Sequence, residues 1–332
     1  MKTIARIGII LVMVGLCTAA EVPGFKLTKK YPIPGNGGFD YIVFDSSSNR
    51  LYISHGDAVE VLDANSGKRL GRVADTPHVH GVAIVPGLHR GFTSNEGDSS
   101  VSVFDTSTLK TIKKLSVPKG PDFIFYEPLT KRVLICHEGA EAITAIDPEK
   151  GAIIGRIDLG GGPEAAVVSR KGMGFVNMEA ASMVVSFDPR GLTVKQKWPI
   201  PGCEAPVPLA MDDANSRLFI GCRSKVLAVM DADSGKVITT LPIGDTVDAV
   251  VFDPDNKMIF ASNGDGTISV IRQKNANVYE SIGTIATQET AKTMAFDPKT
   301  KRLFLSAAEK ALPGAQTRFK PGTFRVLVVE RQ

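Results

Sequence analysis

Ionisable residues recur in this chain at a spacing that would bring them together. Asp40, His80, Asp122, Glu164, Val207, Asp248 and Lys292 follow one another at intervals of 40, 42, 42, 43, 41 and 44 residues, and six of the seven can carry charge. A second series, His55, Asn95, His137, Glu179, Cys222, Asn263 and Ala307, trails the first by 15 residues throughout. His55, His80 and His137 are three of only five histidines in the chain, and His78 lies beside one of them. Imidazole and carboxylate groups that converge on one pocket are what a divalent metal or a general acid/base pair requires. His80, His137 and Glu164 are the candidate metal ligands. The wider binding set is Asp40, His55, His80, Asp122, His137, Glu164, Glu179, Asp248, Asn263 and Lys292. A plainer reading also accounts for these positions: they are polar because they meet water and cap neighbouring loops.

The elements that must hold these residues follow from an internal repeat, which has to be recognised before any local assignment. Seven times, an apolar strand, a short polar turn and a second apolar strand succeed one another. The turns open at Asp45, Val85, Glu127, Ser169, Asp212, Asp253 and Asp297, and the second strands begin six residues later, at Leu51, Gly91, Val133, Phe175, Leu218, Ile259 and Leu303. A third alternating strand follows in each unit. In five units it ends in an aspartate (Asp63, Asp105, Asp147, Asp188, Asp231) whose carboxylate is placed to accept backbone N–H bonds in the next turn. A fourth strand then leads to the next unit.

Four strands per unit at this period predict an all-β chain folded as a seven-bladed β-propeller with four-stranded blades. The 32 glycines and 20 prolines agree, since they suit many short strands joined by tight turns. The seventh unit stops at its third strand, while residues 25–33 form a strand with no unit of its own. That N-terminal strand is expected to complete the last blade and close the ring through ladder hydrogen bonds. Both residue series then fall on one rim of the central channel.

The first twenty residues carry Lys2 and Arg6, an apolar stretch from Ile7 to Leu16, and Thr18-Ala19-Ala20 at the positions a signal peptidase reads. They are expected to be a cleaved secretory signal, leaving residues 21–332 as one propeller domain in the periplasm or outside the cell, with no membrane span. Cleavage leaves 37 basic against 35 acidic residues, too even a balance for strong non-specific attraction to nucleic acid. In such an oxidising compartment Cys203 and Cys222, at one rim of the fifth blade, are candidates for a disulfide, while Cys136 is expected to be a packed thiol. Serine-hydrolase, zincin and haem-attachment motifs are missing, and neither glycine cluster opens a helix that could cradle phosphate.

The second strands Leu51-Tyr-Ile-Ser-His55, Gly91-Phe-Thr-Ser-Asn95 and Ile259-Phe-Ala-Ser-Asn263, with the alternating strand from Val101, resemble the YVTN repeats of YncE-like seven-bladed propellers. The resemblance implies a secreted or periplasmic binding protein and extends to nucleic acid as a partner, because some members are described as DNA-binding. The function expected is a non-enzymatic scaffold that binds a small molecule or a protein through its channel rim. The alternative is a metal-dependent lactone hydrolase or lyase, similar to propellers that hold a channel metal with carboxylate, Asn and His; here Glu164, Asn263, Asp248, His80 and His137 would serve. An insertion in the last unit, residues 308–322, brings Lys310, Arg318 and Lys320 towards the same rim as a lid, an anion contact or a solvated loop.

Overall fold

The computed structural model describes Val22 and residues 24–332; the expected signal segment lies outside the described residues. Among the described residues the strands form seven four-stranded antiparallel sheets, and six of these are built from four strands consecutive in the sequence. The inner strands that line the channel are Phe39–Asp45, Val79–Val85, Pro121–Glu127, Pro163–Val168, Pro206–Asp212, Val247–Asp253 and Met294–Phe296, for blades 1 to 7 in order. The seventh sheet joins the two ends of the chain. Its outermost strand, Phe25–Pro32, pairs antiparallel with Arg325–Arg331, from Phe25 opposite Arg331 to Pro32 opposite Arg325, with a register shift between Leu27 and Lys29. The ring therefore closes as the repeat count requires.

The blades cohere because strand alternation leaves both faces of each sheet apolar, and each face is covered by the next blade. Phe92, Val101 and Val103 of blade 2 pack with Val133, Ile135 and Ile146 of blade 3 in one continuous cluster, and the same arrangement recurs around the ring. Tyr52, Phe92, Phe219, Phe260 and Phe304 occupy one repeat position in the second strand and are all fully buried. Each of the four phenylalanines contributes about 1.5–3 kcal/mol through burial of apolar surface. Leu134 takes this place in blade 3.

The repeated aspartates act as turn formers. The carboxylates of Asp63, Asp105, Asp147, Asp188 and Asp231 each accept backbone N–H bonds from the residues two and three positions on. The Ser66, Thr108 and Ser234 hydroxyls join these bonds at Asp63, Asp105 and Asp231, and the pKa is drawn below the ordinary carboxylate value, at Asp231 against the opposing effect of burial. In blade 5, Cys203 and Cys222 are joined as a disulfide with Cα atoms 5.5 Å apart. It spans a sequence separation of 19 and, by chain entropy, stabilises by roughly 3 kcal/mol. Cys136 is a buried free thiol. Among the described residues no helix is long and apolar enough to cross a membrane.

Candidate functional site at the channel rim

The mouth of the channel carries a belt of ionisable side chains drawn from every blade, with Arg223 representing blade 5, where the first series has Val207. His80, entering the inner strand of blade 2, stands between two carboxylates from its neighbours. Its Nδ1 lies 2.7 Å from Asp40 Oδ2 of blade 1 and 3.2 Å from Asp122 Oδ1 of blade 3. Its Nε2 lies 3.1 Å from Glu96 Oε2, which also stands 2.7 Å from His78 Nδ1. With a carboxylate oxygen at each nitrogen, the ring can donate on both sides only as imidazolium. Burial opposes that charge, yet the Asp122 and Asp40 carboxylates outweigh it and raise the His80 pKa to about 11. The Nδ1 proton follows the shorter of these two contacts. It goes to Asp40, and Asp122 Oδ1 is left buried without a hydrogen bond.

Beyond Asp122 the belt continues through uncharged acid. Burial, together with the Asp122 and Glu179 carboxylates, pushes Glu164 up to about 9, so at neutral pH it is protonated beside Glu179. Arg223 then crosses from blade 5 to blade 6, donating to Asp248 Oδ1 at 2.9 Å, with its Nε 3.9 Å from Glu179. Lys292 of blade 7 pairs with the other oxygen of Asp248. Below this belt the channel turns apolar, in a cavity of about 200 Å³ that Tyr41, Phe123 and Leu209 help to line. Tyr41 meets Phe123 edge to face, with ring centroids 5.3 Å apart. Burial, reinforced by the acids above, keeps its phenol protonated well past the ordinary range.

The three histidines do not converge as their shared rim suggests. Among the described residues, the groups of three potential ligands close enough to share an ion are Asp40–His80–Asp122 and His78–His80–Glu96. The expected set His80, His137 and Glu164 is not one of them, because a residue ending a second strand lies a full strand away from the channel wall. His137 is fully buried, with neither ring nitrogen in a hydrogen bond. Burial draws its pKa down to about 4. Asn263 is spent inside its own blade, donating to the hydroxyls of Thr267 and Ser269. His55 lies flat on Phe324, centroids 4.2 Å apart, and burial lowers its pKa.

Glu96 and Arg223, both in the belt, were missed by sequence reasoning. Each stands one residue beyond the second series, so one further column of the repeat alignment would have disclosed them.

A larger cavity of about 510 Å³ opens beside the belt, between blades 7, 1 and 2. The insertion of blade 7 forms one wall. It folds as a short hairpin, with Lys310 bridged to Phe319 and Ala311 N–H donating to the Arg318 carbonyl. Gly322 N–H donates to Asn36 Oδ1 at 3.1 Å, tying this hairpin to the loop that enters blade 1.

No family model matches the chain, and no curated protein matches it. Among solved structures it is similar to a chain of one described as "Crystal Structure of Mitotic Checkpoint Complex", with 14% sequence identity over 98% of each chain and a TM-score of 0.77. The likeness is one of fold. At that identity it supports the propeller architecture and carries no ligand, partner or activity across.

Proposed function

We propose that this protein is a secreted or periplasmic propeller that acts as a binding scaffold and takes a small molecule in the cavity between blades 7, 1 and 2. The carrying observation is that the charged belt and a cavity of about 510 Å³ share Asp40, His80 and Lys292. Ligand pockets typically have volumes of about 300–1,000 Å³, with a few convergent polar groups on a mainly apolar lining. The signal-like N-terminal sequence and the Cys203–Cys222 disulfide support a location outside the cytoplasm. The YVTN-like second strands support membership of the YncE-like propellers.

Thermal-shift screening of a small-molecule panel tests this reading. A ligand that raises the melting temperature of the full protein, and loses that effect on Phe319→Ala, is the expected result. Shifts that survive Phe319→Ala unchanged would move the binding site elsewhere.

A second reading, a metal-dependent lactone hydrolase or lyase, is favoured by one observation, the convergence of Asp40, His80 and Asp122. Once His80 gives up a proton, the donor set fits a borderline divalent ion: one neutral imidazole and two carboxylates, with an Asp122 oxygen that is buried without a hydrogen bond. Asp40, His80 and Asp122 would hold the ion, which would supply Lewis acidity. Elemental analysis of protein purified without chelators decides between the readings. Stoichiometric metal that disappears in His80→Ala supports the enzyme, and metal-free protein removes it.

A further inference from the structure

The residues of the larger cavity narrow its ligand to one chemical class. Phe39 lies between Phe319, at a centroid distance of 4.8 Å, and Phe324, at 5.0 Å. With His55 stacked on Phe324, the four rings form one continuous stack, of which Phe39 and Phe319 are part-exposed and Phe324 and His55 are buried. Facing it are three cations: Lys292, Arg318 and Lys320.

The charges on this wall are only partly matched. Asp248 serves both Lys292 and Arg223, and Glu309 serves both Lys320, at 3.2 Å, and Arg325, at 2.9 Å. Arg318 has no ion pair among the described residues; its guanidinium lies over the Phe319 ring, 5.2 Å from the centroid. Asp40, the cavity's own carboxylate, is already satisfied by His80. Arg318 and Lys320 therefore bring positive charge to the edge of a partly buried aromatic wall. A cationic ligand would meet like charge from Arg318 over the ring where it would stack. A planar anion would pack edge to face on this wall and be neutralised at the same time, and an arginine fork suits a carboxylate.

We infer that the cavity binds small aromatic carboxylates, with the ring packed on the part-exposed edges of Phe39 and Phe319 and the carboxylate towards Arg318 and Lys320. This rests on the reading that the cavity is the binding site. The blade 7 hairpin is then a specificity element, because it supplies both an aromatic and a cationic partner.

The test is calorimetric titration of the full protein with benzoate, indole-3-carboxylate, benzamide and cyclohexanecarboxylate, repeated at two salt concentrations. Binding of the two aromatic acids, weakened at least tenfold for the amide and for the saturated acid, is expected. Arg318→Gln should weaken the aromatic acids tenfold or more while leaving the melting temperature of the free protein unchanged. Equal affinity for benzamide would overturn the anionic half of the inference, and equal affinity for cyclohexanecarboxylate the aromatic half. No binding of either aromatic acid at millimolar concentration would sink it outright. The broader binding reading would survive that result if an unrelated ligand from the thermal-shift panel still depended on Phe319, so the two can fail separately.

Discussion

Glu164 and His80 show how one rim can hold a proton on an acid and a base at once. Glu164 is surrounded by burial and by acids, so its neutral form is favoured; His80 is held between acids, so its charged form is. Both folded-state pKa values lie above those of the unfolded chain, about 4.3 for glutamate and about 6.5 for histidine. The stability each provides is complete below its unfolded value and is lost as pH rises, through about 9 for Glu164 and about 11 for His80. The turn aspartates act in the opposite sense, losing their contribution as pH falls below the ordinary carboxylate range. The melting temperature should therefore peak on the acid side of neutrality. Glu164→Gln, neutral at every pH, should flatten the decline between pH 5 and 9, with its largest gain at the alkaline end. Parallel wild-type and variant curves from calorimetry would show that Glu164 does not hold its proton.

At the scale of elements, the outer strands matter as much as the channel wall. Tyr31, on the N-terminal strand, lies over Gly67 in the last turn of blade 1, and its hydroxyl donates to the Asn65 carbonyl at 2.9 Å. Gly67 adopts φ +71°, and a Cβ there would sit 2.2 Å from the Tyr31 ring. Trp198 covers Gly235 in the same way, between blades 4 and 5. Gly67→Ala should cost roughly 1–3 kcal/mol through overpacking, with about 1 kcal/mol more from the left-handed backbone. Denaturant unfolding of Gly67→Ala, Tyr31→Ala and the double variant measures this. The two changes should be strongly non-additive, because removing the ring removes the clash, whereas additive losses would mean that ring and turn are not in contact.

For the whole molecule, closure is the decisive event. The strand Phe25–Pro32 pairs with residues about 300 positions away, and it covers an edge that would otherwise be open. A chain beginning at Pro34 keeps six complete blades but exposes the Arg325–Arg331 edge and the apolar partners of Phe25, Tyr31 and Ile33. It should melt well below the full chain and enter oligomers on size-exclusion chromatography. A monomer of unchanged melting temperature would mean that the closing strand contributes nothing. Such a long-range contact is costly in loop entropy and forms late in folding, so unfolding is expected to begin at this seam.

Repeat spacing alone determined the number of blades, the four strands in each, the turn role of Asp63 and its counterparts, and the strand that closes the ring. These features are periodic, and periodicity can be read in one dimension. The same spacing placed Asp40, His80, Asp122, Glu164, Asp248 and Lys292 on one rim, because a fixed register carries each residue to an equivalent place. Only the tertiary structure decided which of them meet. His80 chose Asp40 and Asp122, His137 was sealed in a blade, and Arg223 spanned the gap left by Val207. Such pairings depend on distances of 3 Å across neighbouring blades, set by side-chain length and direction, and the repeat does not encode these. The larger cavity belongs to the structure for the same reason, since it joins an insertion outside the repeat to a loop near the other end of the chain.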